Sequence, residues 1–168
     1  MKNLVDAGSV LDETDLDARH GVVFSTVAAM KALNPTDING NTISLSSGLT
    51  VITQGYATAG DGGGGQYLIA GNQTVDGFGD HPLANNNVAL LQKLDVTNAK
   101  QYGATGDGST DDAPALQAAI DSLDTGGVLF MPLGTYSIAS TLTVNTAGVT
   151  MRGVGGDQGR TALSLIHI

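Results

Sequence analysis

The segment Gln101–Asp121 constrains the fold of this chain more than any other part of the sequence. It begins as a run rich in glycine and aspartate and continues without a break into a helical pattern. Asp111 and Asp112 can accept hydrogen bonds from the free N–H groups of a first helical turn, and their charge suits the positive end of the helix dipole. Pro114 fits that first turn, where its missing N–H group costs nothing. The sequence therefore predicts a capped helix directly after a turn-rich loop.

The predicted helix has one apolar face. Its apolar positions follow the i, i+3, i+4, i+7 spacing and therefore lie together: Leu116, Ala119, Ile120 and Leu123. Gly126–Gly127 is the predicted end of the helix. An amphipathic helix of this kind can cover the open end of a β-solenoid, which otherwise exposes apolar interior and unpaired backbone.

Short strands are predicted beyond the helix. Val128–Met131 is apolar throughout, which is typical of a strand buried on both faces. Three further segments alternate or nearly alternate between polar and apolar residues: Thr135–Ile138, Thr141–Val144 and Val149–Met151. Gly153–Asp157 is a predicted turn and Thr161–Ile168 a final strand. We expect one or two solenoid rungs, fewer than the roughly three that bury a continuous core.

The part of the chain before this segment predicts a small α+β unit. Ser25 or Thr26 is expected to cap a helix that runs to about Leu33. Strands are predicted at Thr42–Leu45, Leu49–Thr53 and Val88–Leu91, and the segment Tyr56–Ile69 is predicted as a strand, a tight glycine loop and a second strand. Leu94–Thr97 is predicted as a link to the Gln101 segment. Residues 1–21 are acidic, which favours a solvated leader or short helix, the alternative being a trimer-forming or virion-docking segment.

Two motifs in this order resemble phage tailspikes. The run Gln101–Asp112, the capped helix, Gly126–Met131 and Gly134–Tyr136 together resemble the opening of a right-handed parallel β-helix of the pectate-lyase-like superfamily. Phe24–Met30, Val51–Tyr56 and Gly60–Tyr67 resemble the small domain that precedes the β-helix in many tailspikes. The resemblance covers roughly residues 22–165.

The resemblance implies a mainly β fold with short helices. Its expected parts are an acidic leader at 1–21, an α+β connecting domain at 22–97, and the helix-capped start of a truncated right-handed parallel β-helix at 98–168. The residues of the two motifs are expected to have structural roles and not catalytic ones: Gly60, Asp61, Gly62, Gly63, Gly64, Gly65, Asp107, Asp111, Asp112 and Gln117.

The function implied by the resemblance is that of the N-terminal part of a tailspike on the virion tail. This part would link a polysaccharide-binding and depolymerising β-helix to the tail and aid trimer assembly. The implied partners are two further copies of the chain, another phage tail or baseplate protein, and a bacterial surface polysaccharide bound by a missing C-terminal part. No catalytic residue of the family falls on a position of this sequence.

Two other functions stay open at this stage. One is a polysaccharide lyase or glycoside hydrolase, against which stand the single glutamate and the lack of an apolar signal sequence after Met1–Asp6. The other is a non-catalytic carbohydrate-binding module, against which stand the low aromatic content and the absence of tryptophan. Arg152 and Arg160 are expected to be surface or interface charges, and His20, His81 and His167 to be plain surface residues without a triad.

Several kinds of ligand are not expected. Gly60–Gly65 satisfies the Gly-x-Gly-x-x-Gly pattern, but a strand-like segment follows it instead of a helix, so a structural hairpin turn is predicted and not a nucleotide site. Asp107, Asp111 and Asp112 lack the ligand spacing of an EF-hand. The net charge of −9 argues against nucleic acid and anionic membranes, and with no cysteine thiolate sites are excluded. We therefore expect no cofactor and no metal.

Overall fold

A computed structural model describes residues 22–32, 45–93 and 96–154 of the chain. In these ranges the elements follow in this order: β1 (Val22–Phe24), α1 (Val27–Lys31), β2 (Thr50–Thr53), β3 (Gln66–Ala70), β4 (His81–Pro82), β5 (Val88–Leu91), β6 (Val96–Asn98), a 3-10 helix (Ala99–Tyr102), β7 (Asp107–Asp111), α2 (Ala113–Asp121), β8 (Gly127–Met131), β9 (Thr135–Ser137) and β10 (Val149–Gly153). The predicted leader at 1–21 and the predicted strand Thr161–Ile168 lie outside the described residues.

The first sheet is mixed and lies in the predicted α+β unit. Its strand order is β1-β2-β3-β5-β4, with β1 parallel to β2 and the other neighbours antiparallel. Thr26 caps α1 as predicted, because its hydroxyl accepts a hydrogen bond from Ala29 N–H at 3.1 Å. Val27 and Met30 bury one face of this short helix. The predicted end of the helix at Leu33 lies outside the described residues.

The second sheet is parallel and has the stacked register of a β-helix. Its order is β10-β8-β6. Thr97, Leu129 and Met151 stand above one another, and the first two are almost fully buried. A separate parallel pair, β7 with β9, forms a second side of the solenoid, with a register shift between Asp107 and Asp111. The predicted boundary at 97/98 falls within β6, which pairs as a unit with β8.

Helix α2 supplies the core beneath the start of the β-helix. Leu116, Ala119 and Ile120 are almost fully buried and Leu123 is 7% exposed, so all four residues of the predicted face are in the core. The helix ends at Asp121, earlier than the predicted end at Gly126–Gly127. Its last turn closes at Ser122, whose hydroxyl donates to the Ala119 carbonyl at 2.8 Å.

Two strand predictions in this region were wrong. Thr141–Val144 forms no strand, because the backbone of Thr143 pairs with the side chain of Gln117 instead of a neighbouring strand. Val128–Met131 forms a strand as predicted, but it is not buried on both faces: Leu129 and Met131 are buried, whereas Val128 and Phe130 are half-buried. Alternation of this kind follows from the two-residue period of a strand with one face toward the core.

Replacement of Leu116 by alanine should destabilise the chain. Leu116 is fully buried, so the change removes apolar contacts and leaves a cavity, which costs about 2–5 kcal/mol of unfolding free energy. Chemical denaturation followed by far-UV circular dichroism measures the loss. The matched control is Leu133→Ala, at a position 83% exposed. Equal losses in both variants would contradict the assignment of Leu116 to the core.

Candidate functional site: the joint between the two sheets

The glycine-rich segment forms the long connection between β2 and β3. These strands are antiparallel, with Ile52 opposite Gln66, so the glycines lie in a hairpin connection as predicted. The strand predicted to begin at Tyr56 is wrong, because β2 ends at Thr53 and residues 54–65 are all part of the connection. Gly62 has φ +86°, a conformation that side chains rarely adopt. A Cβ on Gly63 would collide with the Lys100 carbonyl oxygen, and one on Gly64 would lie 2.6 Å from the Thr53 carbonyl oxygen. The glycines are therefore needed for close packing of the loop as well as for its turns.

Asp61 organises this loop from within. One carboxylate oxygen accepts the N–H groups of Tyr56 and Gly63 at 3.0 and 2.8 Å, and the other accepts those of Ala57 and Thr58 at 2.8 and 2.9 Å. Burial acts to raise the pKa of Asp61, but the four N–H donors outweigh it and hold that pKa below its usual range. The side chain is therefore ionised at neutral pH and acts as an anchor for four backbone groups.

Three side chains next to the 3-10 helix bind the carbonyl groups of the same loop. Asn98 donates to the Gly62 oxygen at 2.9 Å, Lys100 to the Asp61 oxygen at 3.2 Å, and Gln101 to the Gly64 oxygen at 2.9 Å. Asn98 also accepts from the Lys100 N–H at 3.0 Å and so caps the 3-10 helix. The loop of the first sheet and the entry to the β-helix are thus held together by direct hydrogen bonds.

Two tyrosines complete this contact by packing over glycines on the opposite side. The ring of Tyr56, in the loop, packs so closely on Gly103 that a Cβ there would lie 2.8 Å from it. Tyr102, in the 3-10 helix, lies where a Cβ on Gly79 would come within 2.5 Å of its ring. We call the combined contact of residues 54–65 and 79 with residues 98–103 the joint.

His81 lies beside the joint and not at the surface, so its predicted exposure was wrong. The residue is fully buried in β4, between the rings of Tyr56 and Tyr67, with centroid distances of 5.8 and 5.9 Å. Its place in a loop rich in glycine and aspartate gave no pattern from which burial could be predicted. Arg152, in contrast, is exposed on β10, as predicted, while Arg160, His20 and His167 lie outside the described residues.

The aspartates of the second motif form a separate cluster at the start of α2. Asp112 is 1% exposed, and its carboxylate accepts the N–H and hydroxyl of Thr105 at 2.7 and 3.0 Å and the Gly106 N–H at 3.2 Å. The Asp112 side chain does not cap the helix. The Asp112 backbone is helical (φ −87°, ψ −5°), whereas that of a capping residue is normally extended. Asp111 serves the first turn instead, accepting the Ala113 N–H at 3.0 Å.

Asp107 and Gln117 fix the neighbouring turns. Asp107 accepts from the backbone and hydroxyl groups of Thr110 and Ser109, and these hydrogen bonds hold the pKa of its exposed carboxyl well below the usual range. Gln117 accepts the Thr143 N–H at 2.8 Å and donates to the Thr143 oxygen at 3.0 Å, so its amide substitutes for a strand neighbour. Because its pKa is lowered in this way, the Asp107 carboxyl is unsuited to act as a general acid at neutral pH.

The carboxylates of the two motifs make structural hydrogen bonds. Residues 22–32, 45–93 and 96–154 contain no group of three or more histidine, aspartate or glutamate side chains that could together hold a metal ion. No helix in these ranges is long and apolar enough to cross a membrane. The carboxylates of Asp61, Asp111 and Asp112 are each engaged by backbone N–H groups.

Comparison with known proteins supports the β-helix and the tailspike resemblance. Residues 96–162 match the family model described as rhamnogalacturonase A/epimerase, pectate lyase-like. The fold is similar to that of the tailspike protein gp49 from Acinetobacter baumannii bacteriophage Fri1, a capsular polysaccharide depolymerase, with a TM-score of 0.60 and 24% identity over 79% of this chain and 23% of that one. The described residues therefore have the fold of the start of a parallel β-helix, similar to that in this tailspike protein.

Two further relatives agree with this assignment of the fold. The enzymatically active domain of tailspike protein 2 from bacteriophage CBA120 matches with a TM-score of 0.56 and 21% identity, over 79% of this chain and 18% of that one. Mannuronan C5-epimerase AlgE3 of Azotobacter vinelandii is 35% identical over 112 residues, which are 63% of this chain and 6% of the epimerase. The chain thus spans only a small part of each relative.

Replacement of Asp61 by asparagine should weaken the joint. The amide keeps one acceptor oxygen but turns an NH₂ group toward two backbone N–H groups, so hydrogen bonds to a charged acceptor are lost, which costs about 1–3 kcal/mol of unfolding free energy. Because the pKa of Asp61 is lowered in the folded chain, its contribution is full above the ordinary pKa and is lost as the pH falls below it. Urea denaturation at neutral pH measures the effect.

The control for this substitution is Asp124→Asn, which removes the same charge from an exposed position. It should leave the urea midpoint almost unchanged. If both variants lost the same stability, net charge and not the four-donor arrangement around Asp61 would explain the result.

Proposed function

We propose that this chain forms the N-terminal part of a phage tailspike and joins a polysaccharide-depolymerising β-helix to the virion tail. The joint is the observation that supports this role. It connects the first sheet to the entry of the β-helix through three side chains that donate to one loop, from Asn98, Lys100 and Gln101. A connection made from several short hydrogen bonds and two packed tyrosine rings resists bending better than a single covalent linker.

The whole protein, in this proposal, acts on a bacterial surface polysaccharide through rungs that follow this chain. The solved relative from phage Fri1 is described as a capsular polysaccharide depolymerase, and the curated relative is an epimerase of mannuronan, also a polysaccharide. The carboxylates of Asp61, Asp107, Asp111 and Asp112 are occupied in turns and at a helix start. Binding and cleavage of the polysaccharide are therefore assigned to the part of the protein beyond it.

Three copies of the chain are proposed to assemble side by side on the tail, where a further tail or baseplate protein receives them. An exposed apolar pair on the first sheet supports a contact between copies. Val23 and Ile52 are neighbours on β1 and β2 and are 55% and 42% exposed. Leu68 and Leu90, half-buried and directly paired, continue the apolar character across β3 and β5. The exposed pair Val23 and Ile52 is the centre of the proposed contact, and adjacent exposed apolar side chains are typical of interaction surfaces.

The assembly can be tested by light scattering coupled to size exclusion. We expect a species of three times the 17.0 kDa chain mass. The double variant Val23→Thr, Ile52→Thr should shift it toward the monomer, because the change removes apolar area from the proposed contact without altering charge. Leu133→Thr, at an isolated exposed position, is the matched control. A monomeric wild-type chain, or a double variant that remains trimeric, would contradict the proposed contact.

The division of labour can be tested with polysaccharide substrates. The 168-residue chain should release neither unsaturated uronates nor new reducing ends from alginate or capsular polysaccharide, since the carboxylates of Asp61, Asp111 and Asp112 are bonded to backbone N–H groups. A commercial alginate lyase serves as the positive control. Activity that copurifies with the chain and disappears in an Asp112→Asn variant of unchanged far-UV spectrum would show that catalysis, and not linkage, belongs to this part of the protein.

A further inference from the structure

A cluster of unpaired polar atoms is buried beside the joint. Within the described part of the chain, four buried side-chain atoms lack a hydrogen-bond partner: the hydroxyl oxygens of Tyr67 and Tyr102 and both ring nitrogens of His81. His81 has no exposed surface, and its ring is in contact distance of Tyr56 and Tyr67. A buried imidazole favours its neutral form, because burial disfavours the charged ring.

The position of this cluster links it to the contact between the two sheets. Tyr56 touches His81 on one side and Gly103 of the joint on the other. Tyr102 lies against Gly79, two residues before His81 in the chain. Displacement of the His81 ring therefore disturbs Tyr56 directly, and movement of the chain between Gly79 and His81 would disturb Tyr102.

The charges around His81 come from three segments. Lys31 lies at the end of α1, and Asp76 and Asp80 lie in the loop before β4; Tyr56, Tyr67 and Tyr102 complete the surroundings. Burial, with a smaller effect of the Lys31 charge, lowers the pKa of His81 from 6.5 to about 4 against the opposing effect of Asp76. Burial also raises the pKa of Tyr67, Tyr102 and Asp80. The aromatic cluster is therefore uncharged at neutral pH.

We propose that His81 is an acid-sensitive latch: when its buried ring gains a proton, the joint opens, while the parallel sheet of the β-helix start stays paired. The ring cannot remain charged between Tyr56 and Tyr67, so it moves toward water. Tyr56 and Tyr102 then lose the packing that closes the joint. The ladder of β6, β8 and β10 contains neither His81 nor any of the three tyrosines, and it keeps its own backbone hydrogen bonds.

The direction of the pH dependence follows from the two states of the ring. The closed joint binds the proton only near pH 4, whereas a solvent-exposed ring binds it near its ordinary value of 6.5. The closed joint is therefore fully stable above the ordinary pKa, loses stability as the pH falls between these two values, and loses no more from this group below the lower one. Across that window the ratio of open to closed joints should rise roughly 300-fold.

The tyrosines provide the measurement. Three of the four in the chain, Tyr56, Tyr67 and Tyr102, lie at the joint or beside it. For the 168-residue chain, lowering the pH from about 7 to about 4 should abolish most of the near-UV circular dichroism of tyrosine while far-UV circular dichroism persists. Loss of both signals together, or of neither, would overturn the proposal.

Substitution identifies the group that responds. His81→Phe keeps an aromatic ring of similar size and cannot be protonated, so its near-UV signal should persist at the acidic end. Asp80→Asn is the matched control: it removes a neighbouring carboxyl that also titrates on acidification, keeps an oxygen acceptor for the Leu91 N–H, and should leave the transition in place. A transition that survives in His81→Phe, or vanishes in Asp80→Asn, would overturn the proposal.

Nuclear magnetic resonance of the wild-type chain keeps the test decisive if His81→Phe does not fold. The ring resonances of His81 should change with the same midpoint as the near-UV signal. A ring that stays unprotonated while the tyrosine signal is lost would assign the opening to other groups and overturn the proposal.

Discussion

One carboxylate sets the path of the loop on which the connection between the two sheets depends. Asp61 collects four N–H groups and thereby turns the carbonyl groups of its own loop outward. Those carbonyls are the acceptors for Asn98, Lys100 and Gln101. An acceptor with two oxygens and a full charge satisfies four donors at once, which a neutral side chain cannot do. The direction in which the β-helix leaves the first sheet therefore depends on a residue far from it in sequence.

The local elements with strong patterns were predictable from the sequence. The apolar face of α2, the Thr26 cap and the hairpin around Gly60–Gly65 follow from spacing and side-chain chemistry, and the structure has all three. Such patterns encode contacts within a few residues of one another. The start of β8 and the position of β10 were predictable for the same reason.

The contacts that make the joint were not predictable, because they connect distant residues. No pattern in the loop around His81 signals that it packs between two tyrosines, and Asp112 resembles a helix cap until its own backbone angles are known. Gln117 likewise is indistinguishable in sequence from an exposed helical residue. Its amide nevertheless forms both hydrogen bonds with the Thr143 backbone that a neighbouring strand was predicted to form. Long-range pairing of polar side chains leaves little trace in one sequence.

The register of the parallel sheet has a consequence for how such a shaft accepts new sequence. From Val128 to its partner Thr150 the chain makes one circuit of 22 positions, whereas the circuit from Val96 to Val128 takes 32. The longer circuit holds α2, yet both advance the stack by the same strand spacing of about 4.8 Å. The length of the β-helix along its axis therefore depends on the number of circuits and not on the number of residues. Segments added at the corners widen a β-helix and leave its length along the axis unaltered.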